Sequence, residues 1–300
     1  MMAIDNKSMQ GKVCLVTGSS SGIGYVTARE LARMGAIVVM ICRDYTKGEA
    51  AQEKIKKESS NDQVDMLVAD LSELAQVRRV ASEFKQKYTR LHVLVNNVGG
   101  ANSEHKVTSE GLEFNFATNY LGQFLLTTLL IDVLKASAPA RIVNVSSYAH
   151  TQGKIDFADL QGTRRYSVVK AYGQSKLAQI YFTYELADQL KDTGVTVNAL
   201  HPGMVVSNFN SGTRGIVHLI GEICYFFGGI DVEKGTQTTL YVATAPDLIG
   251  VSGKYFSQSK QGKETPSSKR SYDVAIRRRL WEVSEALIAQ SEHLHVAPTR

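Results

Sequence analysis

Proline is scarce in this chain, five residues in 300, and none stands where it would stiffen a linker between two folding units. Cysteine is scarcer. Cys14, Cys42 and Cys224 form an odd set with no paired spacing, which excludes a disulfide framework and leaves no readable zinc motif. No run of eighteen apolar residues occurs, because the strongest candidate, 216–230, is shorter and carries His218 and Glu222. Residues 1–10 lack the apolar core that a secretory signal needs. A reducing, cytoplasmic setting without a transmembrane segment is therefore expected.

One-sided charge is also missing. The chain has 34 basic and 29 acidic residues, a formal +5, and 254–300 alone holds nine basic against five acidic side chains. The one tight basic cluster is Arg277, Arg278 and Arg279, with no basic face interleaved with aromatics. A nucleic-acid partner is not expected. The triplet reads either as a solvated helix face or as a contact for a lipid surface or partner.

What the chain does have is 43% hydrophobic residues and 21% charged ones, enough to bury a sizeable core. Short Val- and Ile-rich runs at 12–17, 37–42, 64–69, 91–95, 142–146 and 195–200 alternate with helical periods at 22–34, 46–58, 73–88, 109–134 and 170–190. The runs are nearly continuous rather than alternating. Strands read that way when helices cover both faces of a parallel sheet. The expectation is an α/β fold in one domain over 1–300, with a doubly wound parallel sheet of about seven strands. After Pro202 the rhythm breaks into a polar stretch and an apolar, aromatic one, expected as a lid insertion near 208–230. A helix over 231–243, a short strand near 254–256 and a C-terminal helix at about 268–290 complete the pattern.

Directly after the first apolar run stands Thr17-Gly18-Ser19-Ser20-Ser21-Gly22-Ile23-Gly24, opening into a helical period. Glycines allow a sharp turn and a close approach to a pyrophosphate, and a helix N-terminus offers unpaired N–H groups. A dinucleotide in a Rossmann fold fits there. At the end of the second run, where an NAD site would place a carboxylate for the ribose 2′-hydroxyl, stand Cys42 and then Arg43. A guanidinium can clamp a 2′-phosphate, so NADP is favoured over NAD, with Asp44 as a complication.

With Asn96-Asn97-Val98-Gly99 and Tyr172-Gly173-Gln174-Ser175-Lys176 in view, the chain resembles the short-chain dehydrogenase/reductase family over nearly its whole length. Asp70, Asn119, Ser147 and Pro202-Gly203 arrive in that family's order. The resemblance implies Tyr172 as proton donor in carbonyl reduction, Lys176 on the nicotinamide ribose, Ser147 on the substrate oxygen, and Asn119 holding a water that links Lys176 to solvent. It also implies dinucleotide contacts from Gly18, Ser20, Ser21, Gly22, Ile23, Gly24, Arg43, Asp70, Leu71, Asn97, Gly99, Pro202, Gly203, Val205 and Ser207. No metal is implied. Tyr172 and Lys176 are one helical turn apart, so the ammonium is expected to lower the phenol's pKa towards neutrality.

Alternatives remain at several positions. Tyr166 and Lys170 repeat the Tyr-x-x-x-Lys spacing six residues earlier, although Tyr166 follows a polar loop whereas Tyr172 continues into a helical run. Ser146 competes with Ser147, and only one of two adjacent strand residues faces a given side. Asp70 reads as an adenine contact or, with Ser72, as a helix N-cap, and Asn97 as a ribose contact or a brace between strands. His150, His201, His293 and His295 lack metal-ligand spacing.

Ser147 and Tyr172 are twenty-five residues apart, with Asp159-Leu160-Gln161-Gly162 between them and His201 before Pro202, features similar to the retinol dehydrogenase-like branch. That branch implies a lipophilic alcohol or aldehyde, retinoid-, steroid- or long-chain aldehyde-like. The apolar 216–227 stretch reads equally as a cleft lining or as core packing. Peripheral membrane contact and a homodimer or homotetramer stay open. So do a catalytically vestigial NADP-binding scaffold and a light-dependent pigment reductase of the same branch.

Overall fold

The computed structural model describes residues 8–205, 230–258 and 262–296, with side chains as far as 292. The apolar runs become strands of a single sheet. Its first half comprises β1 (Val13–Thr17), β2 (Ile37–Cys42), β3 (Val64–Val68) and β4 (Val93–Asn96), joined by α1 (Gly22–Arg33), α2 (Tyr45–Ser59) and α3 (Leu74–Lys87). In the second half α4 (Phe114–Phe116), α5 (Gly122–Leu129) and α6 (Ile131–Lys135) lead into β5 (Ala140–Val145). Then come α7 (Val168–Gln189), β6 (Val195–His201), α8 (Val232–Thr244), β7 (Lys254–Ser257), β8 (Lys263–Glu264) and α9 (Val274–Val296).

The strand order is β3-β2-β1-β4-β5-β6-β7-β8, parallel throughout except for the antiparallel β7–β8 pair. This is the doubly wound Rossmann arrangement. The order reverses between β1 and β4, and ligands in such sheets bind in the crevice beyond the carboxyl ends of the strands at that reversal. Every residue of β1 and of β6 is buried, as expected of strands covered on both faces. On one side α1, α2 and α8 contribute Ala28, Leu31, Ile55 and Val242 to the core. On the other, α3, α5, α7 and α9 contribute Val77, Phe84, Phe124, Phe182 and Leu280.

Several expectations need correction. Among the described residues the sheet has eight strands rather than about seven, because β8 is a two-residue, exposed Lys-Glu pair without hydrophobic signal. The expected helix over 109–134 is not continuous. Gly111 adopts φ +78°, Val107 bridges Glu113, a π-helical turn over Ala117–Leu121 separates α4 from α5, and Leu130 interrupts α5 and α6. The C-terminal helix begins at Val274, later than 268, after a short 3-10 turn over Lys269–Tyr272. The lid expected near 208–230 lies, apart from Ile230, outside the described residues, as do Ser207 and Cys224.

Helix α9 lies across α5 and α7. Trp281 meets Phe124 and Phe182 with ring centroids 4.7 and 5.9 Å apart, and Tyr120 Oη bonds Ser284 Oγ at 2.8 Å. Burying side chains of this size contributes about 1.5–3 kcal/mol each. The basic triplet is not simply a solvated face. Arg277 forms a half-buried ion pair with Glu185 at 2.7 Å, and the Arg279 guanidinium stacks 4.2 Å over Phe157. Among the described residues, no helix is long and apolar enough to cross a membrane.

Candidate active site

The glycine loop turns directly off β1. Gly18 and Gly22 take φ of +67° and +58°, left-handed values that a side chain resists. A Cβ on Gly24 would sit 2.3 Å from the Gly18 carbonyl oxygen, so the loop closes on the helix only with glycine there. Half-buried Ser20 and Ile23 and exposed Ser21 complete the turn. At the N-terminus of α1, Ser21 makes no side-chain cap and the first turn holds no acid. Such an end is suited to an anion. The residues present therefore fit a dinucleotide pyrophosphate.

Around the loop, Thr17 Oγ1 accepts the N–H groups of Asn97 and Val98 at 2.9 and 3.1 Å, while Asn97 Nδ2 donates to the Thr17 carbonyl at 2.9 Å. Asn97 thus braces β1 against β4. Past β2, Arg43 is 69% exposed, with its guanidinium 3.9 Å from the Asp70 carboxylate. Asp44 is engaged in capping α2, where its carboxylate accepts the Lys47 N–H at 3.0 Å. Asp70 Oδ1 accepts the N–H and the hydroxyl of Ser72, and Leu71 is buried. Neither Asp70 nor Ser72 caps α3. Glu110, from a distant loop, accepts the N–H groups of Leu74 and Ala75 instead.

Across the crevice, Ser147 follows β5 and Tyr172 and Lys176 lie one turn apart on α7. The side chains of Tyr172 and Ser147 are hydrogen-bonded to each other, and Lys176 Nζ stands 5.7 Å from the Tyr172 ring centroid. Ser146 faces the other way, donating its hydroxyl to the Lys176 carbonyl at 2.9 Å. Tyr166, the competing tyrosine, donates to the Asn102 carbonyl and accepts from Asn115 Nδ2, both at 2.7 Å. It ties down the loop after β4.

Lys176 is 3% exposed and donates to the Val145 carbonyl and to Gln179 Oε1, each at 3.0 Å. Gly99 lies beside it, since a Cβ there would sit 2.9 Å from Nζ. Asn119 is held in the π-helical turn, a local irregularity frequent at functional sites. Its amide pairs with Gly100, accepting from N–H and donating to C=O at 2.9 Å, and also donates to Ser175 Oγ. Beyond β6, Pro202 is buried, Gly203 takes φ +92°, and Val205 bridges Ile230. Tyr148 beside Ser147, Val169 in the first turn of α7 and Met204 beside Gly203 are exposed.

Burial dominates the electrostatics here. It holds Lys176 down to about 7 and His201 to about 4, where nearby His150 and Lys176 add to the effect. Tyr172 is pushed up to about 12 by burial, with the Ser147 hydrogen bond opposing. The expectation that Lys176 lowers Tyr172 is thus not met without the dinucleotide's positive ring. The burial that opposes the ammonium at Lys176 opposes the phenolate at Tyr172 as well.

Sequence reasoning passed over Gln179 and Gln123 here, and weighed His150 only as a metal ligand. His150 accepts the Ser268 N–H at Nε2 (3.1 Å), which places its proton on Nδ1, 2.7 Å from the Ser147 carbonyl. Gln179, the third residue after Lys176, could have been noticed from helical spacing. Gln123 could not, because it arrives from another helix.

The two walls therefore present a dinucleotide cradle at the sheet's reversal and a phenol, hydroxyl and ammonium facing it. Residues 12–215 match the family model described as short chain dehydrogenase. The chain belongs to this family. It is an oxidoreductase of the short-chain dehydrogenase type, similar to the retinol dehydrogenases. Retinol dehydrogenase 12 of Mus musculus is 45% identical, over 94% of this chain and 88% of the relative. Among solved structures, an uncharacterised protein from Mycobacterium paratuberculosis is 34% identical with a TM-score of 0.74, covering 95% of this short-chain dehydrogenase and 96% of that chain. A structure from Beutenbergia cavernae, assigned as an NAD(P)-dependent gluconate 5-dehydrogenase with NADP bound at low occupancy, is 26% identical with a TM-score of 0.68. It covers 84% of this chain and 97% of that one.

Proposed function

We propose that this short-chain dehydrogenase transfers hydride between NADP(H) and a lipophilic carbonyl or alcohol. The observation that carries the reading is Tyr172 bonded to Ser147, one turn before Lys176, across from the uncapped start of α1. When bound, the nicotinamide supplies or accepts the hydride. In reduction, Tyr172 delivers its hydroxyl proton to the carbonyl oxygen while Ser147 donates a hydrogen bond to the same oxygen. Lys176 holds the ribose and, once protonated beside the phenol, favours the tyrosinate that remains. Asn119 keeps Gly100 and Ser175 in place around that group. Glycines 18, 22 and 24 would admit the pyrophosphate, with Asp70, Leu71 and Asn97 serving the adenosine half and Gly99, Pro202, Gly203 and Val205 the nicotinamide half.

NADP is preferred on the strength of Arg43, an exposed guanidinium next to Cys42, which stands where a carboxylate would otherwise select NAD. The relatives named retinol dehydrogenases and the exposed Tyr148, Val169 and Met204 support an apolar substrate. A vestigial scaffold is disfavoured because Tyr172, Ser147 and Lys176 are all present and in mutual reach.

The test is loss of reduced-nicotinamide absorbance with NADPH and a panel of retinoid and long-chain aldehydes, repeated with NADH. Turnover is expected with NADPH, and Tyr172→Phe is expected to slow it at least ~100-fold with NADPH affinity retained. Undiminished turnover in Tyr172→Phe, or none with any carbonyl despite NADPH binding, overturns the proposal.

A further inference from the structure

Lys176 is tied into a buried chain of side-chain amides that the reaction as described does not use. Its Nζ donates to Gln179 Oε1 at 3.0 Å, Gln179 Nε2 donates to Gln123 Oε1 at 2.6 Å, and Gln123 Nε2 donates to the Val98 carbonyl. Gln123 and Gln179 are 2% and 1% exposed. A carboxamide has one accepting end and one donating end, so a single fixed acceptor sets the direction of every link. Val98 supplies that acceptor. Its backbone carbonyl can only accept, which turns the Gln123 amide so that its oxygen faces Gln179, and this in turn aims the Gln179 oxygen at Lys176. A reversed chain would leave an amide N–H donor facing an ammonium and a carbonyl facing a carbonyl, all of it buried.

We infer that Gln179 is a positioning residue for Lys176, oriented by Gln123 and the Val98 carbonyl, and that it favours the ammonium over the neutral amine. The inference rests on the reading of Lys176 and Tyr172 given above. Two of the three N–H donors of the ammonium are committed to Val145 and Gln179, which fixes the direction left for a ribose hydroxyl. Burial acts against the charge, holding Lys176 near 7, so the two acceptors counter a real desolvation cost. The titratable groups around Lys176 among the described residues are Tyr172 on its own helix and His201 at the end of β6, with His150 behind His201. Burial lowers both imidazoles and raises the phenol, so none of the three titrates between neutral pH and about 9.

In that range the alkaline fall of kcat/KM for reduction is expected to follow Lys176. Gln179→Leu removes an acceptor that favours the charged form, so the fall should move to lower pH by about one unit. Gln179→Glu should move it upward, because a carboxylate holds the proton on the amine. Gln123→Leu leaves Gln179 in place but free to rotate, and should give a smaller shift in the direction of Gln179→Leu. NADPH fluorescence titrations across the same pH range provide a second readout, with the midpoint of weakening expected to move in parallel. Thermal midpoints are recorded for each variant. Should Gln179→Leu fail to fold, Gln179→Asn and Gln123→Leu carry the same test.

Midpoints that fall while both pH profiles stay put would make the amides ordinary packing and overturn the inference. Tyr172→Phe run alongside keeps the two ideas apart. If it loses turnover while the glutamine variants leave the profiles unmoved, the inference fails and the reading of the site stands. If Tyr172→Phe turns over normally, the reading itself fails.

Discussion

The two walls of the crevice are built from different materials. The β1–β4 wall is backbone: glycines at close approach, an uncapped helix end, and Thr17 and Asn97 holding two strand ends together. The β5–β6 wall is side chain: a phenol, a hydroxyl and an ammonium set in buried amides and imidazoles. A backbone wall tolerates almost no added volume but carries little titratable character. A side-chain wall tolerates volume better and pH worse. That division suits the proposed function, in which one half holds a large constant ligand and the other moves one proton.

The largest expected effect breaks the first wall. Gly24→Val places carbon within van der Waals radius of the Gly18 carbonyl, and NADPH binding should be abolished in a fluorescence titration. Stability should fall by about 1–3 kcal/mol in urea unfolding. Normal NADPH affinity in this variant would mean the loop can open, and the wall is not as rigid as its geometry.

The second wall should show its character in acid. His201 is about nine-tenths buried, and its Nδ1 has no hydrogen-bond partner among the described residues. Its value of about 4 lies below the ordinary 6.5, so the unfolded chain takes up the proton first. Its contribution is whole above about pH 6.5 and is lost as pH falls towards 4, a decline of about 3 kcal/mol. His201→Gln should flatten the urea-derived stability profile between those limits. An unchanged slope would assign the acid loss elsewhere, with His150 the next group to examine because burial lowers it too.

The smallest effect sharpens the boundary between structure and chemistry. Tyr166→Phe removes the bonds to Asn102 and Asn115 and should cost about 1 kcal/mol while leaving kcat within a few-fold. A collapse of turnover equal to that of Tyr172→Phe would make the first Tyr-x-x-x-Lys pair the working one.

The same division explains what could be read before the structure. The glycine loop and the buried strands are local patterns, legible from spacing alone, and the sheet order follows from their alternation with helices. The interrupted stretch from Gly111 to Lys135 was not legible, because its hydrophobic period survives through the π-helical turn that displaces Asn119. Tyr172 and Lys176 could be picked out because they share one helix. Glu110 on the N-terminus of α3, His150 on Ser268 and Gln123 on Gln179 could not, since each partner is more than thirty residues away. Strand β8 left no trace, being two charged residues with no apolar signal, held to β7 by backbone pairing and by the Lys254–Glu264 ion pair.

Helix α9 has a temporal consequence. Phe124 and Phe182 leave the ribosome well before Trp281, which is separated from Phe182 by roughly a hundred residues, or about 5–20 s of synthesis. For that interval the nascent chain displays Phe124 and Phe182 without the indole that covers them in the folded molecule.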